Sequence, residues 1–432
     1  MRIWHLVTLA ALVARRDSAA QQLSGMVQAI PVVTRADPTA TRSALDEGYL
    51  TQPAAMGHVM WKQLQGIATL NFEGLTLKRG ELTTGGYGEG YVDRRHPHSY
   101  VHELLAGVEG ARSGVSASLF AGRGFAPFGS DDPMVRPFEK YPVNHHLAQI
   151  LERVVAIGAV RAGPVIGEFG VFNGDEPISP GSSPNFDRFA DSWSSRVTVL
   201  PVEGAELSAS IARVASPEVR VGHGLDQHKA SAVARFDRLT NDTWHYALVE
   251  WAHTNEMTRG ITTTRLGSVL GEGAYCRAGT IVAGRIEHTD RPEEEPLADP
   301  FRTPRPSTDL SNLGVSRWTT FTVSLSSPPV RTGVLSARPF VEVERVHVSP
   351  GTPAGIFDAV LRYGSSSMWM LTAGIRLHAG MMHDRMGRYG VALPAMAMGT
   401  AGRAAASDSM PGMPMPTAMP MSHSAADSRC AM

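Results

Sequence analysis

Polar residues, arginines and acidic residues among them, recur at every second position of otherwise apolar stretches in this 432-residue chain. Arg196, Arg235, Arg285, Arg338 and Arg376 stand on the polar face of such stretches, as do Glu73, Glu168, Glu206, Glu287, Glu342 and Glu344. Guanidinium and carboxylate groups on one face can hold water, contact passing ions, or pair to brace a wall. Facing lipid, an arginine at mid-bilayer would cost about 2–4 kcal/mol. The pattern therefore predicts that these residues line a wet lumen. Mixed signs argue against strong selectivity for anions or for cations.

A second chemistry is soft-metal binding. Thirteen of the nineteen methionines lie at or beyond Met368. Met410, Met413, Met415, Met419, Met421 and His423 alternate with prolines, which prevent helix and strand. Thioethers with an imidazole suit Cu(I), so this set is the candidate metal site; a ligand-free low-complexity tail is the alternative. His96, His98 and His102 fall on one side of an extended segment, and His383 follows Met381 and Met382. Separate histidines at loop level are the blander reading of both groups. The tail and the outer loops are expected on opposite sides of the membrane, which would rule out a shared site. The only cysteines are Cys276 and Cys430. A disulfide could tether the tail in an oxidising compartment, but the preferred reading leaves both unpaired.

The elements that must position these groups show period-two alternation. From Trp369 to Ala379, Trp369, Leu371, Ala373, Ile375 and Leu377 oppose Met370, Thr372, Gly374, Arg376 and His378. About fourteen such segments (range twelve to sixteen) run from residue 64 to 380, each near the roughly 9–11 residues a tilted membrane strand needs. Those at 100–110, 147–160, 242–254 and 264–275 alternate poorly. There Glu250 and Glu272 resist assignment to either face, and a bulge could explain them. Turn-like connections such as 161–163, 277–279 and 331–333 alternate with long Gly-, Pro- and charge-rich ones such as 79–99, 125–146 and 290–314. That sorting predicts an all-β, antiparallel, up-and-down transmembrane barrel with short periplasmic turns and long extracellular loops.

Residues 1–20 read as a signal peptide: a basic start, a short apolar run, then small residues. Residues 21–62 read as an N-terminal periplasmic segment, 63–380 as the barrel, and 381–432 as a flexible Met/Pro-rich tail. With 40 basic against 41 acidic side chains, nothing points to a nucleic-acid partner. The expected partners are the outer-membrane bilayer and small polar solutes.

Residues 121–129, AGRGFAPFG, with Glu152-Arg153 after a long loop, resemble the third-strand region of phosphate-selective porins. Residues 168–174, EFGVFNG, are similar to that family's fifth-strand end. The likeness spans residues 115 to 174. It implies a diffusion channel whose long third loop folds inward. The family's lysine arrays have no counterpart among Lys62, Lys78, Lys140 and Lys229, so no phosphate-site residue carries over. The expected function is passive diffusion of small polar solutes or ions, with metal traffic as a variant and no catalysis. Alternatives are an outer-membrane hydrolase, though no G-x-S-x-G motif is present, or a non-conducting structural barrel.

Overall fold

The computed structural model describes residues 21–38, 43–77, 98–240, 243–294, 312–351, 358–380, 385–393 and 430. The sheet opens with β1 (Gln21–Asp37), β2 (Leu45–Trp61), β3 (Leu64–Asn71), β4 (Val101–Arg112), β5 (Val115–Gly124) and β6 (Arg153–Ala162). It continues with β7 (Val165–Phe172), β8 (Ser192–Val199), β9 (Ala205–Val214), β10 (Asp226–Leu239), β11 (Thr243–Thr258) and β12 (Ile261–Arg277). It ends with β13 (Thr280–Glu294), β14 (Asn312–Ser326), the short β15 (Val330–Thr332), β16 (Leu335–Pro350) and β17 (Ser367–Gly380).

Strands adjacent in sequence pair antiparallel, and β1 pairs with both β2 and β17, so the sheet closes on itself. Because β14 also pairs with β16, β15 lies outside the ring, which therefore has sixteen strands. Closure satisfies every ladder and leaves no edge, which is what allows a sheet to sit in hydrocarbon. No helix among the described residues is long and apolar enough to cross a membrane.

Sixteen strands replace the expected fourteen, because residues 21–62 form β1 and β2 rather than a periplasmic segment. Their alternation is broken by Pro31 and Pro53, by a register shift between Gln28 and Ile30, and by four consecutive buried residues, Thr51 to Ala54. Proline donates nothing to a ladder and argues against a strand wherever it is read from sequence. Strict alternation of short and long connections also fails once. The β11–β12 turn, on the side of the long loops, is only Arg259-Gly260, with φ of +48° and +81°. Two left-handed residues make the tight turn whose twist matches antiparallel strands.

The outer face is apolar. Val160, Phe169, Val197, Leu207, Ile211, Val249, Val269, Val282, Ile286, Val323 and Val341 are all exposed there. The lumen is not open water. Loop 125–152, between β5 and β6, folds inward, as the porin likeness implied, and nearly all of it is buried. Residues 385–393, beyond β17, also lie inside, with Met386 and Tyr389 packed among Phe125, Phe128, Leu105, Phe120, Val155 and Ile157.

This inserted chain explains the four poorly alternating segments. On β4, β6, β11 and β12 the inward face is itself apolar where it meets the insert. Leu105, Val155 and Ile157 meet the Phe125–Tyr389 cluster, Leu266 meets Leu147 and Ala148, and Trp244, Tyr246, Leu248 and Leu270 meet Phe138. Burying each such side chain stabilises the docked insert by about 1.5–3 kcal/mol. No bulge is needed for Glu250 and Glu272: the β11–β12 register is continuous through both, and both are buried inward.

Candidate functional site: a charged lumen filled by inserted chain

Antiparallel register sets an acidic residue opposite an arginine on three inward-facing strand pairs. Glu168 of β7 faces Arg196 of β8, Glu206 of β9 faces Arg235 of β10, and Glu272 of β12 faces Arg285 of β13. Arg196 donates to both Glu168 oxygens at 2.6 and 2.7 Å, and Arg285 donates to Glu272 at 2.8 Å. Such paired, charge-assisted bonds fix both position and orientation.

The insert brings further cations to the same carboxylates. Arg388 bonds to Glu206 and lies 3.5 Å from Glu168, and Arg385 lies 3.0 Å from Glu206. Arg136, from the inward loop, lies 3.6 Å from Glu272 and 3.7 Å from Glu250. Asp131 of the loop binds Arg235 of the wall and Arg385 beyond β17, joining the three parts. Burial pushes the Asp131 carboxyl up, but the guanidiniums of Arg385, Arg235 and Arg388 outweigh it and hold it well below the usual carboxylate range.

The remaining expected lumen residues also face inward or lie within. Glu287 accepts from the Val143 backbone N–H at 2.9 Å, and Glu342 accepts from the Glu139 and Lys140 N–H groups at 3.0 Å each. Glu344 accepts from Thr322 at 3.0 Å. Glu73 is buried on a short helix, α1 (Glu73–Thr76), rather than on a strand, accepting from Thr51 and Gln52 at 2.9 and 2.8 Å. Arg338 of β16 stands opposite Arg376 of β17. Arg338 donates to the Gly279 carbonyl at 2.6 Å, and Arg376 lies over the Phe340 ring at 5.4 Å from its centroid. Between the insert and β1–β4 a narrow crevice, lined by Ser24, His58, Thr69, Glu103, Arg385 and Arg388 among others, has room for about one water molecule.

The sequence reading missed Asp131, Arg136, Lys140, Glu250, Glu272, Arg385 and Arg388. Glu250 and Glu272 carried a signal, a charge inside an otherwise apolar strand. The charges on inserted chain carry none, because irregular backbone has no period from which to read an inward face.

His98 and His102 come together with Glu152, whereas His96 and His383 lie outside the described residues. His102 Nδ1 is 2.6 Å from Glu152, its Nε2 is 3.6 Å from Asp132, and the two imidazole centroids are 4.6 Å apart. Burial, with His102 beside it, holds His98 below the usual histidine range. Burial alone would raise Glu152, but His102 and its other charged neighbours hold it at about 2.

The cysteines are paired, against the preferred reading: Cys276 and Cys430 form a disulfide with Cα atoms 5.8 Å apart. Cys276 faces inward near the foot of β12, so Cys430 is buried in the lumen with Phe138, Trp244 and Tyr246. Tail and outer loop also meet, because the Asp132 N–H donates to the Met386 carbonyl at 3.4 Å. The expected separation by the membrane fails because chain from both ends of the barrel enters one lumen. Met410, Met413, Met415, Met419, Met421 and His423 lie outside the described residues.

No family model matches the chain, and no curated relative does. Solved structures resemble it at low identity. One is the anion-selective porin from Comamonas acidovorans, 8% identical, TM-score 0.46, covering 84% of this chain and 100% of that one. Another is OmpT, an outer membrane protein of Vibrio cholerae, in its trimer form: 10% identical, TM-score 0.46, covering 84% and 100%. A third is Pseudomonas aeruginosa OpdK with vanillate, 7% identical, TM-score 0.41, covering 83% and 99%. These values are too low to transfer a function. The closed antiparallel sheet, apolar without and charged within, has the build of a transmembrane β-barrel.

Proposed function

We propose that the protein is an outer-membrane channel for passive diffusion of small polar solutes or ions, closed at rest by loop 125–152 and residues 385–393. One observation carries this reading. Glu168, Glu206 and Glu272 each stand opposite an arginine of the neighbouring strand, and the arginines of the insert come in addition. Withdrawal of the insert therefore leaves no wall carboxylate among these three without a cation beside it. The emptied wall would remain polar, neutralised and wettable, as a pore requires.

A non-conducting structural barrel is the second reading, favoured by the tight crevice and by the disulfide that anchors the tail. A hydrolase is less favoured. The hydroxyl beside the histidines, Ser99, is buried and gives its proton to Glu152 at 2.7 Å, a positional rather than a nucleophilic use. Cu(I) capture by Met410, Met413, Met415, Met419, Met421 and His423 is a separate proposal resting on their soft donors. Loss of Cu(I) stoichiometry on deleting 394–432 would support it, and unchanged stoichiometry would remove it.

Single-channel recording of the purified full chain in planar bilayers at high salt tests the channel. Brief, low-conductance openings are expected, together with longer and larger ones once the disulfide is reduced. Silence under both conditions would defeat the channel and leave the structural barrel.

A further inference from the structure

We propose that His98, His102 and Glu152 form a binding site for a divalent transition cation of the zinc class, which locks the root of the inward loop to the barrel wall. Ligating atoms of the three residues lie within 4.8 Å of one another, and all three side chains are buried. Two imidazoles and a carboxylate make a borderline donor set that suits Zn(II), Co(II) and similar ions, and suits Cu(I) or Ca(II) poorly. Around a tetrahedral ion with bonds of about 2.0–2.1 Å, ligand atoms sit about 3.4 Å apart. Small side-chain rotations close the present gaps. The His102–Glu152 contact of 2.6 Å is the hydrogen bond that the ion would replace, releasing its proton.

The surroundings have the form of an orienting shell. Behind His98, Nδ1 lies 3.0 Å from the Asn71 amide and 3.6 Å from Glu73. Behind His102, Nε2 lies 3.6 Å from Asp132. Metal-bound imidazoles characteristically give their other nitrogen to a carboxylate, which fixes ring and tautomer. Asp132 fills that part for His102, which then ligates through Nδ1. At His98 the Asn71 amide N–H donates to Nδ1 at 3.0 Å, so ligation through Nε2 requires that amide to turn and present its oxygen. Three carboxylates, Glu73, Asp132 and Glu152, surround two imidazoles, and the nearest arginine, Arg123, is 4.0 Å from Glu152. A dication offsets that excess of negative charge.

The placement gives the ion a structural task. His98 lies three residues before β4, His102 is the second residue of β4, and Glu152 closes the inward loop immediately before β6. Occupancy would join the start of β4 to the start of β6, two strands that do not pair with each other. This does not depend on whether the barrel conducts.

Co(II) titration of the full chain in detergent tests the site, because cobalt reports nitrogen and oxygen ligands by visible absorption and has little affinity for the thioethers of the tail. One equivalent is expected, displaced by Zn(II), lost in H98A and H102A, and unchanged in H245A, a wall position facing lipid. D132N should weaken binding by about 10- to 100-fold, as removal of an orienting carboxylate does. Should H102A fail to fold, E152Q keeps the size and much of the hydrogen bonding of the native residue and must still lose the equivalent. Absence of a cobalt spectrum in the wild-type chain, or binding undiminished in the folded H98A, H102A or E152Q chain, would overturn the site.

Discussion

On β7 to β13, Glu168, Glu206 and Glu272 each face a cross-strand arginine and then meet a second cation from inserted chain. On β16 and β17, by contrast, Arg338 faces Arg376 directly, and the described insert brings no carboxylate bridge between them. The first wall is a docking surface: complementary charge, aromatic residues and Phe138 under the Arg285 guanidinium, 4.1 Å from ring to cation. In the second, Arg338 donates to the Gly279 carbonyl while Arg376 lies over the Phe340 ring, with Glu342 on the same face. Interior charge in one barrel thus holds inserted chain in two ways, by ion pairs on one side and by backbone N–H groups donated to Glu342 on the other.

Breaking the docking wall should have the largest effect. Arg388→Ala removes the cation shared by Glu168, Glu206 and Asp131 and should cost about 3–5 kcal/mol in docking of the insert, as loss of one partner from a buried pair does. Urea denaturation in detergent and a several-fold rise in mean bilayer current check it; a wild-type current in R388A would show that the arginine does not hold the insert. Next is the disulfide. Replacing Cys276 and Cys430 by serine should cost about 2–5 kcal/mol, because the bond closes a 154-residue separation. The unfolding midpoint should fall and residues 385–393 should become open to protease.

Acid should act on the same wall. Asp131 is held below its ordinary range, so its stabilising contribution is present above the unfolded value near 3.9 and is lost as pH falls below about 4. Current should therefore rise reversibly below about pH 4, and D131N should abolish that rise. The smallest effect belongs to the second wall. Arg376→Gln removes a like-charge opposition and should stabilise the barrel by up to about 1 kcal/mol. It should also shift the reversal potential in a salt gradient toward cations, and an unchanged potential would mean that Arg376 is not on the ion path.

Much of the barrel is legible in sequence because period two is imposed by lipid on one side and water on the other. Phe169, Val197, Leu207 and Val323 announce the lipid face, and Arg196, Glu206 and Glu342 announce the lumen. The reading failed where a third environment intervened. On β11 the inward Trp244, Tyr246 and Leu248 face Phe138 and Cys430 rather than water, so both faces of the strand are apolar and the alternation disappears. On β1 and β2, Pro31 and Pro53 mask strands that closure of the sheet nonetheless requires. The His98–His102 pair was visible as a spacing of four, but Glu152, fifty residues beyond His102, joins it only through the return of the inward loop.

Amide hydrogen exchange of the folded full chain tests most directly that inserted chain fills the lumen. Peptides covering 130–145 and 385–393 are expected to be protected about as well as the inward halves of β7 and β9, with protection of 385–393 falling in R388A. Exchange of both segments at the rate of an open chain, while the strands stay protected, would contradict an occupied lumen and leave an unobstructed pore.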